Sequence, residues 1–469
     1  MNMKKYIILV VCGLSVCGSF SQTWTKIKSG SEFTIAIKSD GTLWGWGFNA
    51  NGQLGMSSTY QIITTPTLLN EDSDWKEIAA GSCHSLAIKN NGSLWGSGLN
   101  GNKQISAGEE SQYEEFAQIG TDTDWVFIEA GYVSSFAIKK DGSLWAWGYN
   151  GNGQLGVGDL EQKSTPTRVG TDNDWQCVSR GGLFVLGLKQ DKSLWQWGYF
   201  VTLDSSGYVY DNFLTPYCIN STSNWKMVSA GFEAVFALNE NGTIWAYGDN
   251  TNYALGDSSK IFLNDFTQIT QDSNWNSIEA GSVYTFAINK NGELFGWGNN
   301  MYGQLGIEKT DNFIPVPTQI DNQTEWKTIS AAKGIISGQY IYGMHSVAIK
   351  NDSSIMCVAG ANYVGQLGLG YTNNDANTSF NCSESAIQDI EQHNNITIYP
   401  NPASTQIIIN NTNSIKEISI YSICGQKIRK LFLNDTQTTL DVSDLPSGIY
   451  VVKINTASGV LVRKVQVVR

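Results

Sequence analysis

The sequence predicts an all-β chain: a seven-bladed β-propeller followed by a small β-sandwich. Three observations predict it. Trp24, Trp75, Trp125, Trp175, Trp225, Trp275 and Trp326 recur every 50 or 51 residues. Asp-Gly or Asn-Gly pairs return at one position of the repeat. After residue 394 the repeat phase stops and a different pattern of short alternating strands begins. A fixed period of this length marks a repeat architecture, and four short strands per unit describe one propeller blade.

Repeat three shows the elements in order. Trp125 opens a strand that ends near Gly131, and Phe136-Ala137-Ile138-Lys139 forms a second. Asp141-Gly142 turns the chain, because these residues accept the positive φ angles of a tight hairpin. Leu144-Trp145-Ala146-Trp147-Gly148 is the third strand, a Gly-Gln-Leu-Gly loop follows at 153–156, and Pro166-Thr167-Arg168-Val169 is a weaker fourth. In Leu43-Trp44-Gly45-Trp46 both faces of the strand are apolar, so each sheet needs a neighbour on both sides, which a closed ring supplies. The small residue between the paired aromatics (Gly45, Gly96, Ala146, Ala246, Gly296) is expected to admit a large side chain from the adjacent blade.

Composition narrows the function classes. The chain of 469 residues has a net charge of −12, and residues 22–394 carry 20 Lys/Arg against 38 Asp/Glu, a net of −18. So acidic a body repels phosphate backbones, which argues against a nucleic-acid partner. Residues 1–21 read as a signal peptide: Lys4 and Lys5, an apolar run from Tyr6 to Val16 too short to span a bilayer, and small residues at Ser19 and Ser21. Leu14-Ser15-Val16-Cys17 resembles a lipoprotein box, with Val16 too bulky for it. No other segment is apolar enough to cross a membrane. Cys83, Cys177, Cys218, Cys357, Cys382 and Cys424 could oxidise in an exported protein, but they are irregularly spaced, which disfavours zinc and suggests small buried apolar residues.

The domain boundaries that follow are 1–21 for the signal peptide, 22–380 for the propeller, 381–394 for a linker and 395–469 for the terminal sandwich. Departures from the repeat nominate a binding surface. Tyr199-Phe200-Val201 replaces the loop of repeat four, with Tyr208 and Tyr210 following, and repeat seven gains about ten residues that include Ile335, Ile336, Tyr340 and Tyr342. Aromatic loops on a rigid scaffold make binding anchors; drift of the repeat, with the insert packing on the closing blade, is the competing explanation. His84 and His345 share one repeat position and read as structural, and His393 falls in the linker. Asp72/Asp74, Asp122/Asp124 and Asp172/Asp174 could bind calcium, but turn capping is the favoured reading. No catalytic motif is present, and no catalytic residue, cofactor or metal site is assigned.

The pattern Gly-x-x-His-Ser-Leu-Ala-Ile-Lys at 81–89, the following Asn-Gly-Ser-Leu-Trp, and Gly-Gln-Leu-Gly at 52–55, 153–156, 303–306 and 365–368 resemble the regulator-of-chromosome-condensation repeat, from 24 to about 375. That resemblance implies a seven-bladed propeller without implying one activity: the founding member is a nucleotide-exchange factor for a small GTPase, and some secreted bacterial relatives bind proteins, one of them inhibiting β-lactamases. Tyr399-Pro400-Asn401-Pro402, Gly425-Gln426-Lys427, Leu445-Pro446-Ser447-Gly448-Ile449-Tyr450 and the basic final strand around Lys464 resemble the type A sorting domain of the Bacteroidetes type IX secretion system. It implies export across the outer membrane by that machinery, with Pro400, Asn401, Pro402, Gly448, Tyr450 and Lys464 in the sorting signal. The combined reading is a secreted or surface-anchored module that binds a protein or glycan. The alternative is a carbohydrate-active enzyme using a carboxylate pair in the propeller's central channel. Nucleotide exchange fits poorly, since an exported protein would not meet a GTPase.

Overall fold

The computed structural model describes residues 23–384 and 397–468, apart from 107, 206, 222–223, 308–310, 335, 338–339, 342, 354, 423–426 and 457–458. The proposed signal peptide, His393 and Cys424 lie outside the described residues. The chain divides into two compact units, one ending at Ala386 and one starting at Ile387.

The first unit is a ring of seven four-stranded antiparallel sheets, each made from consecutive chain: residues 24–68, 75–118, 125–168, 175–220, 225–268, 275–319 and 326–384. The fourth strand of blade seven (Asn373–Glu384) runs into the stretch read as linker, because it pairs with Ile355–Asn362 as far as Ile355 opposite Glu384. That pairing sets Cys357 opposite Cys382, and the two form a disulfide, so they are not the separate buried thiols expected. Cys83, Cys177 and Cys218 remain free, none fully buried; burial pushes the Cys177 thiol up to about 12.

Each hairpin between the second and third strands turns on a left-handed residue. Gly142 has φ +82°, and a Cβ there would stand 2.1 Å from the Asn173 carbonyl oxygen. In blade four Lys192 takes this conformation at φ +68°. The small residue between the aromatics is filled differently from expectation. A Cβ on Gly45 would meet Leu54 and Leu69, and one on Gly296 would meet Leu305, Ile320 and Phe286. At Gly45, Gly96 and Gly296 the nearest side chains come from the same blade, with the loop residues Leu54, Ile105 and Leu305 folding back into this space.

Adjacent blades are joined by the second Trp of the third strand. Trp147 Nε1 donates to the Gln104 carbonyl at 2.9 Å, Trp197 to Gln154 at 2.9 Å and Trp297 to Ala254 at 2.7 Å. The ring closes by the same contact, Trp46 Nε1 to the Gln366 carbonyl at 3.0 Å. The two histidines are also inter-blade links: His84 Nε2 meets Ser135 Oγ at 3.0 Å and His345 Nε2 meets Thr34 Oγ1 at 3.2 Å.

Instead of capping turns, the acid pairs hold lysines. Lys139 at the end of a second strand reaches Asp122 at 2.7 Å and Asp124 at 3.1 Å, and Lys89 and Lys189 do the same with Asp72/Asp74 and Asp172/Asp174. Each ammonium lies between two Trp rings, Lys139 Nζ being 4.8 Å from Trp125 and 5.1 Å from Trp145. Burial works against the charge of Lys89, Lys139 and Lys189, but the paired aspartates outweigh it and raise all three pKa values. Lys38 of blade one has the Trp rings without such a pair, and burial lowers its pKa to about 8 against the pull of Asp40.

The second unit is a five-stranded antiparallel sheet. Its longest strand, Gln406–Ser422, pairs with Thr397–Tyr399, Lys427–Asp441 and Gly448–Thr456, and Gly459–Val467 forms the far edge. Ile407, Ile409, Ile418, Ile420, Leu440, Val452 and Ile454 build its core. Pro400, Asn401 and Pro402 follow the first short strand, and Asn401 Oδ1 accepts from the Gln466 amide at 2.8 Å. Tyr450 is buried and donates to the Pro446 carbonyl at 2.8 Å, beside Gly448. Lys464 sits in the edge strand opposite Val451.

Candidate functional site: the loop face of blades three to five

The loops joining first to second and third to fourth strands emerge on one face of the ring. Blades one, two and six place Ser31, Ser82 and Ser282 after the glycine of the first loop; blades three and five place Tyr132 and Phe232 there, and blade four has Gly182 there with Leu183 next. Tyr149 and Tyr199 hold equivalent positions after the third-strand Trp pairs of blades three and four. These residues form one apolar sector, with Tyr132, Tyr149 and Leu183 exposed and Tyr199 and Phe232 half-buried. No broken motif marks these residues; the single position after each first-loop glycine distinguishes Tyr132 and Phe232, whereas Leu183 stands one residue later, where Val133 and Val283 are its counterparts.

The blade-four residues named from sequence are divided by their strands. Leu194–Asp204 and Gly207–Asn220 form a long hairpin. Tyr210 is 57% exposed and stacks on Tyr199 with ring centroids 5.4 Å apart, and Tyr208 is exposed beside Phe262 of blade five. Phe200 points the other way, as alternation along a strand requires. At 5% exposure it packs on Phe184 and Phe213, supporting the face from below without presenting its ring. Asn264 of blade five ties down the hairpin, accepting from the Leu203 amide at 2.9 Å and donating to its carbonyl at 2.6 Å. Tyr340 lies in a two-residue strand paired with Ile336–Ser337, while Ile335 and Tyr342 fall outside the described residues.

The start of the blade-seven insert enters the central channel. Lys333 Nζ lies 3.7 Å from Glu129 of blade three and 3.3 Å from Ser179 Oγ of blade four. Its carbonyl accepts from Arg180 Nη2 at 2.7 Å and from Ser31 Oγ at 3.4 Å. Glu279 and Lys28 complete the cluster, and Lys26 pairs with Glu77. Burial raises the pKa of Glu279 against the opposing charges of Lys28 and Lys333. For Lys28 burial is outweighed by Glu279, Glu129 and Glu77, so its pKa rises; for Lys333 burial wins and its pKa falls. Among the described residues no three His, Cys, Asp or Glu side chains gather to hold a metal ion, and no helix is long and apolar enough to cross a membrane.

Models of the regulator of chromosome condensation (RCC1) repeat match residues 40–88, 141–188 and 291–335, and a second model of that repeat matches 24–53, 75–104, 125–154 and 275–304. RCC1 repeats thus recur between residues 24 and 335 of the propeller. The secretion system C-terminal sorting domain matches residues 397–468. It marks the chain for export by type IX secretion to the cell surface or extracellular space, and so for contact with that machinery. The chain is 35% identical over 88 residues to the ultraviolet-B receptor UVR8 of Arabidopsis thaliana, covering 18% of this chain and 20% of that one. It is 30% identical over 95 residues to the human probable E3 ubiquitin-protein ligase HERC3, covering 20% and 9%. The matched stretch is thus a fifth or less of these relatives' length. Among solved structures, Prp20p of Saccharomyces cerevisiae superposes with a TM-score of 0.62 at 19% identity, covering 80% of this chain and 90% of that one. Human WBSCR16 gives 0.60 at 21%, covering 66% and 85%. These likenesses establish the fold of the RCC1-repeat ring.

Proposed function

We propose that the RCC1-repeat propeller is an exported binding module that takes a macromolecule, protein or glycan, on the loop face of blades three to five. The observation that carries this reading is the sector of Tyr132, Tyr149, Leu183, Tyr199, Tyr210 and Phe232, which line two adjoining hollows that share Leu183, on a ring whose blades one, two and six carry Ser31, Ser82 and Ser282 where blades three and five carry Tyr132 and Phe232. Tyrosine supplies large, amphipathic contact area at low entropic cost and suits interface anchors. The enzyme alternative would draw on Glu129 and Glu279 in the channel. Lys28 and Lys333 counter both carboxylates, and the Lys333 backbone crosses between Arg180 and Ser31, which speaks against an open catalytic cleft there.

An array of glycans and secreted proteins probed with the full chain, with turnover followed in parallel, tests the reading. Saturable binding without turnover, weakened about tenfold or more by Tyr199→Ala or Tyr210→Ala, is the expected result. Turnover of any glycan would overturn it. Deleting residues 395–469 is expected to abolish surface display in the host, read by protease accessibility on intact cells; undiminished display would refute a role for this tail in export.

A further inference from the structure

Between blades three and four the loop face opens into a cavity of about 410 Å³, lined by Tyr132, Tyr149, Asn102, Asn152, Gln154 and Arg180. Its volume falls in the range of small-ligand sites. Arg180 is 5% exposed, and its Nε has no hydrogen-bond partner although the group is buried. Its Nη2 is committed to a neutral carbonyl, that of Lys333. The nearby carboxylate of Glu129 lies by Lys333 Nζ and touches Arg180 only through its backbone amide, at 3.5 Å. Lys26, Lys28, Arg180 and Lys333 set four bases against Glu77, Glu129 and Glu279 around this channel. The guanidinium therefore has room for one more anionic acceptor, in a propeller that is otherwise strongly acidic. Arg180 borders the cavity, and a charge-assisted bond from its guanidinium to a ligand oxygen would be short and strong.

We propose that this cavity is a subsite for a carboxylate-bearing sugar, a uronic acid, with Arg180 holding the carboxylate. The proposal rests on the binding reading above and names the ligand class of one part of that face. The rest of the lining suits a sugar ring. Tyr132 and Tyr149 offer ring faces for its apolar side. The side-chain amides of Asn102 and Asn152 make no protein hydrogen bond among the described residues, and such amides donate and accept as hydroxyls require. A peptide strand is less well served, because the second strands bordering the cavity, Ser134–Lys139 and Phe184–Lys189, are each already paired on both sides.

Calorimetric titration of the full chain with digalacturonate tests this, with its dimethyl ester, neutral galactobiose and the dipeptide Glu-Glu as comparisons. Saturable binding of digalacturonate is expected, with the ester and galactobiose weaker by about tenfold or more. Tyr149→Ala, at an exposed position, is expected to weaken it by a similar factor, as is Arg180→Gln. Since Arg180→Gln also removes the bond to Lys333, the ester comparison on the unaltered chain carries the charge test independently. Equal affinity for acid and ester, no binding of digalacturonate, or tighter binding of Glu-Glu would each overturn the proposal. Failure here, with an array ligand still weakened by Tyr199→Ala, would remove the uronic-acid subsite and leave the binding face intact.

Discussion

Lowering the pH from 7 to 5 is expected to cost the propeller about 4 kcal/mol of stability, because two buried histidines must remain neutral. His84 and His345 are fully buried, and burial lowers both pKa values to about 3, with the charge of Arg180 adding to the effect at His84. In the unfolded chain each titrates near 6.5. Between roughly pH 6.5 and 3 the unfolded state binds more protons than the folded state, so stability falls as pH falls through that window. Each site contributes about 1.4 kcal/mol per pH unit there, hence about 2 kcal/mol each by pH 5. Glu279, whose pKa is raised by burial, acts in the opposite sense once it protonates. Urea unfolding at pH 7 and pH 5, followed by Trp emission, measures the loss; the terminal domain contains no Trp, so the signal reports the propeller alone. The double variant His84→Gln, His345→Gln is expected to flatten the slope whatever its absolute stability. A parent with equal stability at both pH values would contradict the prediction.

Trp46→Ala is expected to cost about 4 kcal/mol, the range for deleting a buried Trp. Every blade is a complete sheet of consecutive chain, so no strand is shared where blade seven meets blade one. The closure rests on side chains and local bonds: Trp46 to Gln366, Thr34 to His345, and the Ser29 amide to Ser330 Oγ at 2.9 Å. Loss of the indole leaves a cavity and removes one of the two donors to the Gln366 carbonyl, Thr34 Oγ1 at 3.2 Å being the other, at the one seam that peptide continuity does not bridge. Hydrogen exchange is expected to accelerate in blades one and seven more than in blade four. A loss below about 1 kcal/mol, or a uniform change in exchange, would show that the seam is not held by this residue.

The missed and misread residues follow a pattern. Lys139 and Asp122 are 17 residues apart, yet their pairing needs the turn between blades to fold back on the end of the second strand. Arg180 and Lys333 stand 153 positions apart and meet because the ring brings all first strands to one axis. Phe200 was grouped with Tyr199 from composition, whereas their opposite orientations follow from strand alternation once the hairpin is known to extend as far as Asp204. Cys357 and Cys382 become partners through the register of one blade, which no spacing rule supplies.

By itself the sequence determined the seven blades, the strand and turn positions within them, and the sorting domain at the end, because each rests on local signals: Trp at a fixed period, Asn-Gly and Asp-Gly turns, alternating apolar runs. Only the tertiary structure decided which aromatics share a face, which acids hold lysines, and which charges meet in the channel. Those depend on ring closure, which sets residues from distant repeats within a few ångströms of one another and buries some side chains that alternation alone leaves unassigned.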